Sequence, residues 1–485
     1  MKESGLYING KWSRGSGRKT FMTLNPATGN PIADVVAGNT KDAQEAIRAA
    51  EKALPAWSET PAPQRAEYLF EISRRLKKDK EKLANHLSEE MGKVMKEARG
   101  DVQEAIDVFE YMAGEGRRLF GHTTPSELRN KIAYTVRRPV GVVGLITPWN
   151  FPMAIPAWKI APALVCGNTI VFKPSSDTPR TAAELVQCIH DAGVPDGIIN
   201  MVTGSASDVG KEIVTNKKIR GISFTGSHTT GEWITQHAGI KKVGLELGGK
   251  NAIIVMDDAD VDLAVDGIIW GGFGTTGQRC TAASRVIVHE KIAKELEEKL
   301  VQRASKLRLG DGRKTTTDVG PLINERAVEK SILYSQIGRK EAKLACGGKA
   351  LDTKGFFFEP TVFTHVKSNA RIAHEEIFGP IVSVIRVKSL NEAIRVCNDS
   401  QYGLSSSIYT NNIANAMHAI AKIETGITYV NSSTIGAEVH LPFGGVKGTG
   451  NGTREAGIEG IHEFSETKTV YIDYSGKLQK AQGIE

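Results

Sequence analysis

Two kinds of hydrophobic spacing succeed one another along the chain, and their order predicts its architecture. Across 40–54 and 63–116 apolar residues recur every three or four positions, the spacing that gives a helix one buried face. From residue 141 short continuous apolar runs take over. Segments 141-GVVGLIT-147, 169-TIVFK-173, 198-IINMVTG-204 and 221-GISFTG-226 read as strands, 178-TPRTAAELVQCIHDAG-193 reads as a helix, and a helix is expected after each later strand. Such alternation predicts an α/β fold with a parallel, doubly wound sheet. After 243-VGLELGGKNAIIVM-256 comes a helix capped by Asp260, then a second α/β stretch ending near residue 450. Segments 131-KIAYTVRRPVG-141 and 468-KTVYIDYSG-476 alternate with period two and read as further strands. No internal repeat or low-complexity linker marks a boundary.

Composition narrows the class. At 485 residues with 40% hydrophobic content, the chain can build more than one core. The start lacks a signal-like pattern and no apolar run reaches the roughly 18 residues of a membrane helix, so no membrane association and a cytoplasmic location are expected. Lys and Arg total 62 against 55 Asp and Glu, a net charge of +7 that is diluted over this length. The densest basic cluster, 74-RRLKKDKEKL-83, contains acidic residues and lies among Ile72, Leu76, Leu83 and Leu87 at helical spacing. It reads as a solvated helix face, not a nucleic-acid patch. Five scattered cysteines without a C-x-x-C pair predict reduced thiols and no metal site.

In open parallel sheets ligands sit beyond the carboxyl ends of the strands. Three segments there carry suitable chemistry: 148-PWNF-151, 173-KPSS-176 and 226-GSHTTG-231. Lys173 can neutralise a phosphate or bond a ribose hydroxyl, and Gly226 and Ser227 open a helix whose first amides favour anions. Two phosphate-loop strings have the wrong context. 272-GFGTTG-277 follows a helix and precedes a strand, the reverse of what a dinucleotide fingerprint needs, and 244-GLELGGKN-251 lacks the Ser/Thr of a P-loop and runs into a strand. Cys280, in 274-GTTGQRCTAA-283, reads by itself as either a nucleophile or, more commonly, a packed thiol. Glu246 sits between two leucines. It is either a surface acid on a turn or a buried carboxyl with a raised pKa, able to act as a base.

Together 147-TPWNFP-152, 245-LELGGK-250, 277-GQRC-280, 376-EIFGP-380 and 442-PFGG-445 closely resemble the aldehyde dehydrogenase superfamily, and the resemblance runs from 6-LYINGKW-12 to 466-ETKTVYID-473. It implies a Rossmann-like cofactor domain from 1–120 and 141–248, a catalytic α/β domain over 249–450, and a small β extension from 121–140 and 451–485 that pairs subunits into a homodimer or homotetramer. It also implies that Cys280 attacks an aldehyde, that Asn150 and the Cys280 N–H hold the oxyanion, and that Glu246 activates water. Lys159 and Glu466 match positions of a proton relay. The matching cofactor positions are Thr147, Pro148, Trp149, Lys173, Ser175, Ser176, Gly204, Gly226, Ser227, Glu376 and Phe378.

Ser176 departs from strictly NAD-using members, which usually carry Glu there. That predicts NADP as cofactor, with NAD second. Substrate-lining positions are Phe151, Trp158, Arg279, Thr281 and Phe443. Arg279 and the loop 436-GAEVHLPFGGVKGTGNG-452 resemble members acting on carboxylated semialdehydes such as 2-oxoglutarate semialdehyde, although Arg279 also reads as half of a structural ion pair. A CoA-acylating enzyme and a non-enzymatic member of the fold are the alternatives. The presence of Glu246 favours hydrolysis to the free acid.

Overall fold

Two seven-stranded sheets form the body of the molecule, and the chain passes from one to the other between Glu246 and Asn251. The structure, a computed structural model, describes residues 2–17 and 19–482. The first sheet runs Lys242–Glu246, Gly221–Thr225, Val142–Ile146, Thr169–Lys173, Ile199–Met201, Leu6–Ile8, Lys11–Ser13. Its first five strands are parallel, Leu6–Ile8 runs antiparallel to them, and Lys11–Ser13 pairs antiparallel with Leu6–Ile8. Ile170, Val171 and Phe172 are all fully buried, which explains an unbroken apolar run in a strand covered on both faces.

From Val142–Ile146 the chain builds outward through Thr169–Lys173 and Ile199–Met201, then returns to lay Gly221–Thr225 on the other side. This reversal opens a crevice beyond the carboxyl ends of Val142–Ile146 and Gly221–Thr225. Beneath it runs the Ala154–Cys166 helix, buried at every residue but Ile155 and stopped by Gly167 at φ +93°. That helix carries Trp158 and Lys159.

The second sheet runs Lys343–Cys346, Thr361–Thr364, Ile381–Val387, Ala283–His289, Asn251–Val255, Ser405–Tyr409, Ile427–Val430, parallel except at the Lys343–Cys346 edge. Asp260 caps Val261–Phe273 as expected, accepting from Leu263 N at 3.0 Å. Strands Lys131–Pro139 and Ser465–Asp473 pair antiparallel in continuous register, from Lys131 opposite Asp473 to Pro139 opposite Ser465. No helix among the described residues is long and apolar enough to cross a membrane.

Three expectations need refinement. The helical region 63–116 is three helices, Ala62–Lys78, Lys80–Met91 and Met95–Glu115, with one break where Gly92 takes φ +93°. The 198–204 strand shortens to Ile199–Met201. The 243–256 run divides into Lys242–Glu246 and Asn251–Val255, because the residues between them leave one sheet and enter the other.

Candidate active site

Cys280 stands in the wall between two cavities. One, of about 120 Å³, is lined by Phe151, Trp158, Arg279, Thr281 and Phe443 among others. The other, of about 230 Å³, is lined by Pro148, Trp149, Asn150, Gly226, Ser227, Glu376 and Phe378. Both share Ile155, Thr225, Leu247 and Cys280. The substrate-lining and many of the cofactor positions read from the sequence thus separate onto opposite sides of one thiol.

The loop bearing that thiol is strained and then pinned. Thr275 and Thr276 take φ of +50° and +59°, conformations that β-branched residues rarely adopt. Thr275 N donates to Glu97 Oε1 at 3.0 Å and Thr276 Oγ1 to Gly320 O at 3.0 Å, which holds them there. Beyond the turn, Asn251 Nδ2 donates to the carbonyls of Cys280 (2.7 Å) and Ala282 (3.0 Å), while Asn251 Oδ1 accepts from Ser405 N at 3.0 Å. Asn150 Nδ2 donates to Gln278 O at 3.0 Å. An amide NH₂ has two hydrogens, so one remains for a ligand beside Cys280. Burial, with Glu246 and Glu376 nearby, pushes the Cys280 thiol up to about 12, so the resting sulfur is protonated.

Glu246 ends its strand opposite Thr225 and is 4% exposed. Its Oε1 has no hydrogen-bond partner among the described residues. Burial holds its carboxyl well above the usual range; Glu455 adds to the shift and Lys159 opposes it. Gly444 makes room for this side chain, since a Cβ there would lie 2.6 Å from Glu246 Oε1. Lys159, fully buried, pairs with Glu455 and donates to Ser223 Oγ at 2.8 Å. Glu455 is therefore the acid that meets Lys159. Glu466, expected in that role, lies exposed on Ser465–Asp473 opposite Arg138. The extended tail carries it out to solvent, while Glu455 is held inside by its bridge to Phe443.

The second cavity opens at the crevice where the first sheet reverses its strand order. Ser227 caps the His228–His237 helix there, accepting from Thr230 N at 3.4 Å. Glu376 is fixed by Gly249 N at 2.9 Å, and a Cβ on Gly248 would lie 2.7 Å from the same carboxylate. Trp149 and Phe378 meet edge to face at 5.5 Å. Thr147 and Thr225 hydroxyls are buried without partners among the described residues.

Thr147, Lys173, Ser175, Ser176 and Gly204 line neither cavity and lie at or after neighbouring strand ends. Thr147 N donates to Lys173 O at 3.2 Å, which keeps two of these ends abreast. Lys173 is 8% exposed with, among the described residues, only a 3.4 Å bond to Pro174 O, and burial lowers its ammonium to about 8. Ser175 Oγ accepts from Asp177 N at 3.2 Å, Ser176 is exposed, and Gly204 takes φ +144° against Gly38. Orphan hydroxyls, a buried cation without an acid and a helix N-terminus around one crevice fit a dinucleotide.

Arg279 combines a place in the cavity wall with an ion pair. It lines the first cavity, and its Nη2 lies 3.4 Å from Glu97 while Nε donates to Thr275 Oγ1 at 3.0 Å. Trp158 packs edge to face on Phe443 at 4.8 Å. Glu104, Ile155, Gly436, Ala437 and Glu455 also line this cavity, and Lys330 lines the other. Gly436 and Ala437 open the loop 436–452 singled out above and Ile155 follows Phe151 closely, whereas nothing local marks Glu104, Glu455 or Lys330, which arrive from distant segments. Among the described residues no group of His, Cys, Asp or Glu could hold a metal ion.

The whole chain has counterparts among known proteins. Residues 12–470 match the aldehyde dehydrogenase family. The chain is 43% identical over 480 residues to an α-ketoglutarate semialdehyde dehydrogenase of Haloferax volcanii, covering 96% of this chain and 98% of that one. It is 39% identical over 474 residues to an α-ketoglutaric semialdehyde dehydrogenase of Bacillus subtilis, covering 96% and 97%. The structure superposes on betaine aldehyde dehydrogenase from Staphylococcus aureus in complex with NAD+ with a TM-score of 0.96, at 35% identity over 99% of this chain and 97% of that one. The chain belongs to the aldehyde dehydrogenase family and is an oxidoreductase that converts an aldehyde to a carboxylic acid with a nicotinamide cofactor.

Proposed function

We propose that the enzyme oxidises an aldehyde bearing a distal carboxylate to the free acid, preferring NADP over NAD, through a thioester on Cys280. The observation that carries this reading is the position of Cys280 between two cavities, with Arg279 in the wall of the first. Relatives named for α-ketoglutarate semialdehyde support the substrate class. The cofactor choice is supported by the exposed Ser176, which presents no carboxylate to a 2′-phosphate, and by Lys173, whose buried charge has no acidic partner among the described residues.

Sγ attacks the aldehyde carbon, and Glu246 receives the thiol proton. The oxyanion accepts hydrogen bonds from the free Asn150 amide hydrogen and the Cys280 N–H, each such donor being worth about 3 kcal/mol. NAD(P), when bound at Trp149, Lys173, Ser227, Glu376 and Phe378, supplies the acceptor for the hydride leaving that carbon. The carbon left on Sγ is a thioester. Glu246, having passed the thiol proton on toward Lys159 and Glu455, then takes a proton from water, the hydroxide adds to the carbonyl, and the C–S bond breaks to release the acid and the thiolate. Lys159 and Glu455 carry the proton on from Glu246.

Segments 1–120 and 141–248 form the cofactor unit of this reading, and 249–450 the catalytic unit. The arm of Lys131–Pro139 and Ser465–Asp473 exposes Ile132, Tyr471 and Ile472, as suits a strand pair that joins subunits into a dimer or tetramer. Turnover measured over an aldehyde panel with each cofactor tests the proposal. Carboxylated semialdehydes should exceed uncharged aldehydes of equal length about tenfold in kcat/KM, the cost of roughly one weak ion pair. A requirement for coenzyme A would replace this reading with the acylating one, and no turnover on any aldehyde would replace it with a binding role.

A further inference from the structure

The Met95–Glu115 helix brings into the substrate cavity a carboxyl that no step above uses. Glu104 lines the cavity beside Phe151, Arg279 and Thr281, and its carboxyl makes no hydrogen bond among the described residues. The nearby cations are engaged. Lys93, from the turn before the helix, donates to Asp101 Oδ2 at 2.9 Å with both side chains fully buried. Arg279, from the nucleophile loop, is held by Glu97 and Thr275 through Nη2 and Nε, which leaves Nη1 without an acceptor among the described residues. Both cations lie over the Phe151 ring, at 3.7 Å and 5.2 Å from its centroid.

The remaining charges around Glu104 are Asp101 and Asp107 on its own helix, with Glu246 and Glu455 across the cavity. Burial and Asp101 push Glu104 up to about 8, against the pull of Arg279 and Lys93. Its neutral form therefore prevails at pH 7.

We propose that Glu104 is a specificity-determining residue, whose neutral carboxyl donates to the substrate's distal carboxylate opposite Arg279 Nη1 and whose ionised form repels it. This deepens the substrate reading above and rests on it. Selection for carboxylated aldehydes then weakens as pH rises through the titration of Glu104, and the change sits in KM. The test compares kcat/KM for succinate semialdehyde and for butanal, from pH 6.5 to 9.5, in the wild type and in Glu104→Gln. Taking the ratio of the two substrates cancels the catalytic titrations of Cys280 and Glu246, which both reactions share, and any repulsion of the carboxylate by Glu246 or Glu455 appears equally in Glu104→Gln.

The wild-type ratio should fall tenfold or more across the range, and the Glu104→Gln ratio should stay high and flat. A wild-type ratio that is high but flat, or a fall of the same size in both proteins, overturns the role of Glu104 and leaves the carboxylated substrate standing. A ratio near one at every pH in both proteins overturns the carboxylated substrate, and the role of Glu104 with it.

Discussion

The two seven-stranded sheets approach the active site from opposite ends. The first delivers Asn150, Ser227 and Glu246 from the carboxyl ends of its strands, at the point where its strand order reverses. The second delivers Cys280 from the amino end of Ala283–His289, on a loop in left-handed conformation that the strand geometry alone does not fix. The carboxyl-end groups emerge where parallel strands already place a crevice, so short polar turns suffice. The amino-end thiol needs dedicated supports: Asn251 from the next strand, Glu97 on the Thr275 amide, and Gly249, where a Cβ would lie 2.4 Å from Cys280 O. One sheet offers a binding site by topology, and the other holds a nucleophile by side-chain bracing.

Substitutions on each side separate these contributions. The largest effect belongs to the thiol: Cys280→Ser should fold and bind dinucleotide, measured by fluorescence titration, yet lose about four or more orders of magnitude in oxidation, as loss of a covalent nucleophile does. Next come two asparagines on opposite sheets. Asn150→Ala should lower kcat about 10²- to 10³-fold, since it removes an oxyanion donor, at a stability cost of only about 1 kcal/mol for its single hydrogen bond to Gln278 O. Asn251→Ala should instead lower stability by about 2–4 kcal/mol in denaturant unfolding, because buried hydrogen bonds to Cys280, Ala282 and Ser405 are lost. Equal stability losses in the two variants would erase the distinction between the sheets.

The smallest effect concerns the cofactor. A carboxylate at 176 and a 2′-phosphate about 4 Å apart repel by roughly 1 kcal/mol in bulk water and 4 at an effective dielectric of 20. Ser176→Glu should therefore reduce NADP efficiency about tenfold and leave NAD intact. An unchanged ratio of the two efficiencies would remove position 176 from the ribose site.

The same contrast governs how much of the molecule was legible in its sequence. The first sheet's strands and the candidate turns after them could be read because buried parallel strands are unbroken apolar runs, and the topology then dictates where ligands go. Cys280 and Glu246 stood out only through combined motifs. Glu455 did not: 453-TREAG-457 carries no local periodicity, and its burial depends on a bridge to Phe443 and a lysine nearly 300 residues away. Glu466 was the more tempting acid, because it lies in a recognisable motif that the structure uses as an exposed strand. Asn251 and Glu97 were invisible for the same reason, since their work is bracing across elements.

The account's central claim is that Cys280 carries the acyl group and Glu246 releases it. Rapid mixing of the Glu246→Gln enzyme with cofactor and aldehyde, followed by mass analysis of the peptide containing Cys280, tests it most directly. Because the burial of Glu246 holds its carboxyl well above the ordinary range, wild-type deacylation should also rise with pH through that titration, and the variant should lose this limb. At high pH, where loss of the proton acceptor for Sγ no longer blocks acylation, the account predicts about one equivalent of reduced cofactor per site in a burst, stalled turnover, and an acyl mass on Cys280. A burst with normal steady turnover, or an acyl group found on any other residue, would contradict it.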